Sequence, residues 1–185
     1  ATALQNDAAS NSNAGTYVTN GKNVQVTDEI SVSGLDNVKA TIGTSGTVTA
    51  KNLKDTAAHL TSDSGGTITV NAYIGEGTNV TIINDATDAT IAQIKAIDAK
   101  NGDGTLAYAL VDTFEAILAD LKDTSYDFLT GASEINLTTT TLGERTVAEM
   151  QAVSTLAAAP YTVKNGSGNV IALDNLTYTL KDTPA

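Results

Sequence analysis

Apolar residues return at helical spacing in a few stretches of this chain, and short β-type runs fill most of the rest. Ile91, Ile94 and Ile97 predict a helix over Thr90–Lys100 with one apolar stripe. Val147, Met150, Val153 and Leu156 continue that pattern over Thr146–Ala159, and Pro160 ends it. Phe114, Ile117, Leu118 and Leu121 predict a further helix, Phe114–Leu121. Ser33–Thr41 contains Gly34 and β-branched residues, so only a turn or two is expected there. Runs rich in Thr, Val, Ile or Tyr predict strands at Thr67–Val70, Asn79–Ile83, Thr105–Val111, Glu134–Thr140 and Leu176–Leu180. Residues 1–16 are polar and low in complexity, as expected of a linker, a tail or an arm that orders against a partner.

The pattern has a longer period as well. Val24-Gln25-Val26-Thr27-Asp28 resembles Thr81-Ile82-Ile83-Asn84-Asp85, aspartate matching aspartate at an offset of 57. Asn52-Leu53-Lys54-Asp55-Thr56 matches Ala109-Leu110-Val111-Asp112-Thr113 at the same offset. Leu35 and Val38 align with Ile91 and Ile94 at 56, and the next step of 56 reaches Val147 and Met150. Self-similarity at one period is the mark of stacked units. The expected architecture is mixed α/β and β-rich, a tandem repeat of period about 56 whose strands and short helices stack like a solenoid. The expected divisions are an arm at 1–23, repeats at 24–79 and 80–135, and an incomplete third repeat at 136–185. Asp-Thr recurs at Asp55, Asp112, Asp123 and Asp182, where an aspartate ending a strand is expected to accept backbone N–H groups and cap the next helix.

Composition narrows the function. Aromatics make up 4% and Trp is absent, so small aliphatics must pack the core. The net charge of −11 and the pI near 4.2 repel phosphate backbones and anionic lipid, which makes nucleic acid and membrane surfaces poor partners. No apolar run reaches the ~18 residues of a membrane span. There is no Cys, so disulfides, thiolate metal sites and cysteine nucleophiles are excluded. The chain opens at Ala1 without Met or a basic-apolar leader, as expected of a processed chain or a piece of a longer one.

His59 is the only histidine, and no Gly-x-Ser-x-Gly elbow accompanies it, so no catalytic role is assigned to it. No phosphate-cradling or dinucleotide-type glycine motif occurs, and no catalytic or cofactor-binding residues are assigned. Calcium has one candidate site: Asp98, Asn101, Asp103 and Thr105 offer oxygen ligands in a glycine-punctuated turn. Its EF-hand register fails, because position 1 would be Ala99 and position 12 Leu110. The competing reading is an Asn-Gly/Asp-Gly turn joining helix to strand. Asn79, Asn136, Asn165 and Asn175 open Asn-x-Ser/Thr triplets, relevant in a host that glycosylates them.

A β-run ending in Asp85, the segment Thr90–Ile97, the sequence Thr146-Val147-Ala148-Glu149-Met150 and the Leu-x-Asp-Thr segments together resemble repeats of large secreted bacterial surface proteins. These are S-layer-like, adhesin-like and haemolysin-type repeat proteins, and the likeness covers roughly residues 24–185. It implies an extracellular or cell-surface location and a structural role, with copies of the chain associating head-to-tail. The alternative is an adhesin module binding a glycan or protein ligand, and a third reading is a polysaccharide-cleaving enzyme.

Overall fold

The computed structural model describes residues 19–83, 89–123, 128–139, 141–157, 163–165 and 176–181. Two units divide them, one made of residues 1–83 and 96–106, the other of 84–95 and 107–185. Among the described residues strand and helix contribute about 34% and 35%, a mixed α/β make-up without the expected excess of strand. No helix among the described residues is long and apolar enough to cross a membrane.

The first unit begins with a strand–helix–strand segment: β1 (Val24–Ile30), α1 (Val32–Ile42) and β2 (Val48–Asp55). β1 and β2 run parallel, from Val24 opposite Val48 to Ile30 opposite Leu53, with an irregularity between Val26 and Glu29. The helix between them is eleven residues long, well beyond the expected turn or two. Gly34 costs about 1 kcal/mol of helix propensity. Leu35, Val38 and Ile42 lie at 0% exposure, and each buried aliphatic contributes about 1.5–3 kcal/mol, so burial outweighs propensity. Ser31 Oγ accepts the Gly34 N–H at 3.2 Å to start the helix, and Gly43 ends it at φ 67°.

After β2 come a single helical turn, α2 (Ala57–Leu60), and an antiparallel hairpin of β3 (Thr61–Ser64) and β4 (Thr67–Val70). The chain then returns as β5 (Asn79–Ile82), parallel to the other side of β2. With β6 (Leu106–Ala107) the sheet order is β1-β2-β5-β6. Helix α3 (Ile91–Asn101) precedes β6 and matches the expected stripe, with Ile91, Ile94 and Ile97 buried.

In the second unit the expected strand Thr105–Val111 is broken, and its distal part is β7 (Leu110–Asp112). The break lies at Tyr108, which is buried and donates its hydroxyl to the Phe128 carbonyl at 2.7 Å. Helices α4 (Phe114–Lys122) and α5 (Phe128–Gly131) come next, then β8 (Ile135–Leu137), shorter than the expected Glu134–Thr140. The last elements are β9 (Thr141–Arg145), α6 (Val147–Ala157), β10 (Val163–Asn165) and β11 (Thr177–Leu180). β8 lies between β7 and β10, and β11 pairs with β9; all these pairings are parallel. Residues 1–16, Asp85, Pro160, Asn175 and Asp182 lie outside the described residues, as do the side chains of Val153 and Leu156.

Candidate functional site

Two of the Leu-x-Asp-Thr aspartates, Asp55 and Asp112, reach back to an earlier helix and do not cap the next one, while Asp123 closes helix α4 and does not end a strand. Asp55 Oδ1 accepts the Thr56 N–H at 2.9 Å, while Oδ2 accepts the Val32 N–H, far back in the chain, also at 2.9 Å. Asp112 makes the same pair of bonds, to Thr113 N–H at 2.7 Å and to Ile91 N–H at 3.0 Å. Each carboxylate therefore clasps the first turn of a preceding helix, where unsatisfied N–H groups attract an anion. The expectation named the helix after the strand. Parallel pairing reverses this, because it sets the end of the second strand beside the end of the first, where the earlier helix begins. The later helix α4 is capped instead by the threonine, Thr113 Oγ1 accepting the Ala116 N–H at 3.2 Å.

Helix starts also correct the alignment. α1, α3 and α6 begin at Val32, Ile91 and Val147. Leu35 thus has the helix position of Ile94 rather than Ile91, and Val38 that of Ile97, one turn away from the expected match. A stripe recurring every third residue permits that slip. Thr90 and Thr146 open α3 and α6 with capping boxes: each hydroxyl accepts an N–H at 3.2 Å, from Gln93 and Glu149 respectively. Gln93 and Glu149 return the bond at 2.9 and 3.0 Å.

A second set of contacts recurs within the first unit. Gly21 N–H donates to Ile42 O and Val24 N–H to Thr47 O; 56 residues further on, Gly77 N–H donates to Asn101 O and Val80 N–H to Thr105 O, all four at 2.8 Å. Asn23 Oδ1 accepts Thr47 N–H, and Asn79 Oδ1 accepts Thr105 N–H, both at 3.0 Å. Gly46 and Gly104 are each pressed against a carbonyl, of Lys22 and Thr78 respectively, leaving no room for a Cβ.

This same turn holds the calcium candidates. Asn101 is fully buried, and its Nδ2 donates to Gly104 O at 3.0 Å and Thr78 O at 3.3 Å. Thr105 and Asp103 are exposed, Asp98 is half-buried, and the Asp98 carbonyl accepts Gly102 N–H at 3.2 Å. The carboxylate that meets the turn is Glu76, which no motif in the sequence singles out. It accepts the Asp103 N–H at 3.4 Å and occupies the space beside Gly102, whose φ is 55°. Among the described residues no cluster of three or more His, Asp or Glu is arranged to hold a metal.

His59 has a partner that its sequence neighbours do not reveal. Its Nδ1 lies 2.6 Å from Asp55 Oδ1, with the histidine side chain 64% exposed and the aspartate 8%. Burial pushes the Asp55 carboxyl up, but hydrogen bonds from His59, Thr56 and Val32 outweigh it and hold the pKa below the ordinary value. A hollow of about 320 Å³ adjoins His59, lined also by Thr61, Ser62 and Asn71. The Thr61 hydroxyl is committed to Ala57 O at 2.9 Å.

In the second unit Asp120 is fully buried at its side chain. Oδ2 accepts Phe128 N–H at 3.1 Å, and Lys95 Nζ stands 3.5 Å from Oδ1. Burial raises the Asp120 pKa, and these partners only partly oppose it. Lys95 and Asp120 line a hollow of about 480 Å³ with Asp112 and Asp123.

Among the described residues, large apolar side chains are exposed on β11, at the start of α6 and at Ile83, just after β5. Leu180, Val147 and Tyr178 are 54%, 41% and 40% exposed. Comparison with protein-family models, curated proteins and solved structures finds no significant match.

Proposed function

We propose that this chain is a structural module of an extracellular bacterial surface layer, filament or matrix, built from tandem strand–helix–strand units and acting by self-association. The observation that carries this reading is the recurrence of one contact set after a single period: Gly21, Asn23 and Val24 against Ile42 and Thr47, then Gly77, Asn79 and Val80 against Asn101 and Thr105. The paired clasps of Asp55 and Asp112 support it as well. Units of this kind bury their apolar faces against the next unit, so a stack grows by adding copies and terminal units are exposed. The net charge of −11 makes copies repel one another, so the association must come from strand contacts.

The test is electron microscopy and light scattering of the purified protein. Ordered filaments or sheets are expected at high concentration. A chain that stays monomeric there refutes self-association, and glycan binding by that monomer would turn the reading to an adhesin.

A further inference from the structure

Two internal strand junctions share one register. Leu53 of β2 faces Val80 of β5, and Leu110 of β7 faces Ile135 of β8, both in parallel. The incoming strand brings an apolar residue opposite the leucine and another two residues on. Val80, Ile82, Ile135 and Leu137 are all 4% exposed or less. The leucines they face are sealed, Leu53 at 1% and Leu110 at 0% exposure. At the second junction Leu110 donates its N–H to Glu134 O at 2.9 Å, so the leucine's own peptide groups meet the newcomer.

β11 offers the same outgoing end. Lys181 N–H donates to Arg145 O at 2.8 Å, as Val111 N–H does to Ala89 O at 3.0 Å. By the alternation of a parallel strand, the N–H and C=O of Leu180 then point away from β9. Among the described residues no strand lies on that side of β11. The complementary edge is β1, outermost in its own sheet. It opens as Asn23-Val24-Gln25-Val26, the pattern of Asn79-Val80-Thr81-Ile82. Val24 N–H is committed to Thr47 O, so Gln25 presents its N–H outward.

We infer that β11 of one copy pairs in parallel with β1 of a second copy, with Leu180 opposite Val24. This rests on the self-association proposed above and adds to it the strand, the partner and the register. Leu180 N–H donates to Asn23 O of the second copy, and Gln25 N–H of that copy donates to Leu180 O. Val24 and Val26 bring to Leu180 the apolar cover that Val80 and Ile82 bring to Leu53. Asp28 and Glu29, charged positions further along β1, disfavour slipped registers. The two edges differ, so the contact is head-to-tail and each added copy presents a fresh β11.

The chain has no Cys, which makes a double variant informative. Val24→Cys with Leu180→Cys, mildly oxidised, should give a ladder of covalent oligomers, because neighbouring strands hold Cα atoms within disulfide reach. Either single variant should give dimers at most. Gln25→Pro removes an outward N–H at an edge position where proline is tolerated. Leu180→Lys places a charge on the opposite edge at an exposed site. Each should weaken association about tenfold or more, with circular dichroism and thermal midpoint unchanged. A wild-type chain that polymerises while both edge variants polymerise equally, without a ladder, overturns the strand pairing and leaves self-association standing. A wild-type chain that stays monomeric removes both. A double variant that closes within one chain overturns the intermolecular junction.

Discussion

Leu53 and Leu180 each stand near the end of a parallel strand, each two residues before an aspartate, and each faces the residue that closes an earlier strand paired with its own: Ile30 for one, Arg145 for the other. The first is 1% exposed and the second 54%. Their local sequences, Leu-Lys-Asp-Thr, are identical. What differs is the next strand: β5 lies on the far side of β2, and no described strand lies on the far side of β11. Since the two segments are alike, the burial of Leu53 is supplied by the strand that arrives beside it, β5, and not by its own segment.

The largest effect should separate the two leucines themselves. Leu53→Ala removes a buried aliphatic and should cost about 2–5 kcal/mol, as should Ile94→Ala, whereas Leu180→Ala should stay within about 0.5 kcal/mol. Urea unfolding of the monomeric chain measures all three. Equal losses at Leu53 and Leu180 would mean that β11 is covered and that the contrast fails.

Next come the clasps. Asp55→Ala leaves Val32 N–H, Thr56 N–H and His59 without their acceptor at a nearly buried site, and should cost about 2–3 kcal/mol. Asp112→Ala, at a half-buried site with two such bonds, should cost about 1–2 kcal/mol. Hydrogen exchange should show the first turns of α1 and α3, respectively, opening in these variants.

Acid then sharpens the comparison between units. The Asp55 pKa is depressed, so its contribution is present above the ordinary carboxylate pKa of about 3.9 and is lost as pH falls through the lower folded value. The Asp120 pKa is raised, so its contribution is full below the ordinary value and is lost as pH rises through the higher folded one. Denaturation midpoints measured across acid to neutral pH should show Asp120→Asn flattening the decline on the neutral side. Asp55→Asn should flatten the decline on the acid side. An unchanged profile in Asp120→Asn would mean that water reaches this carboxylate.

The smallest effect is expected at His59. The ring is mostly exposed, so His59→Ala should cost under about 1 kcal/mol at neutral pH. A loss approaching that of Asp55→Ala would show that the histidine positions the clasp.

Much of the secondary structure is legible from spacing alone. Ile91, Ile94 and Ile97 mark α3, Phe114 and Ile117 mark α4, and β4 falls on the expected residues, because a stripe or a β-branched run is a local signal. α1 is longer than its own residues suggest, since Gly34 weakens propensity while the burial of Leu35, Val38 and Ile42 that overrides it depends on distant strands. The recurring Leu-x-Asp-Thr segments can be read from the chain, but the direction of the aspartate's reach cannot. Asp55 and Val32 meet only because β1 and β2 run parallel, and nothing in either residue's neighbours encodes that. Glu76 beside Gly102 and His59 beside Asp55 are equally invisible in the sequence. The first pair meets across a strand junction, and in the second a strand-end carboxylate could equally have been satisfied by its own turn. Sequence by itself determined the elements, the charge and the spacing of like segments, since all of these depend on neighbours along the chain. Tertiary structure alone decided which leucine is sealed and which is open, because burial depends on the strand that arrives from elsewhere.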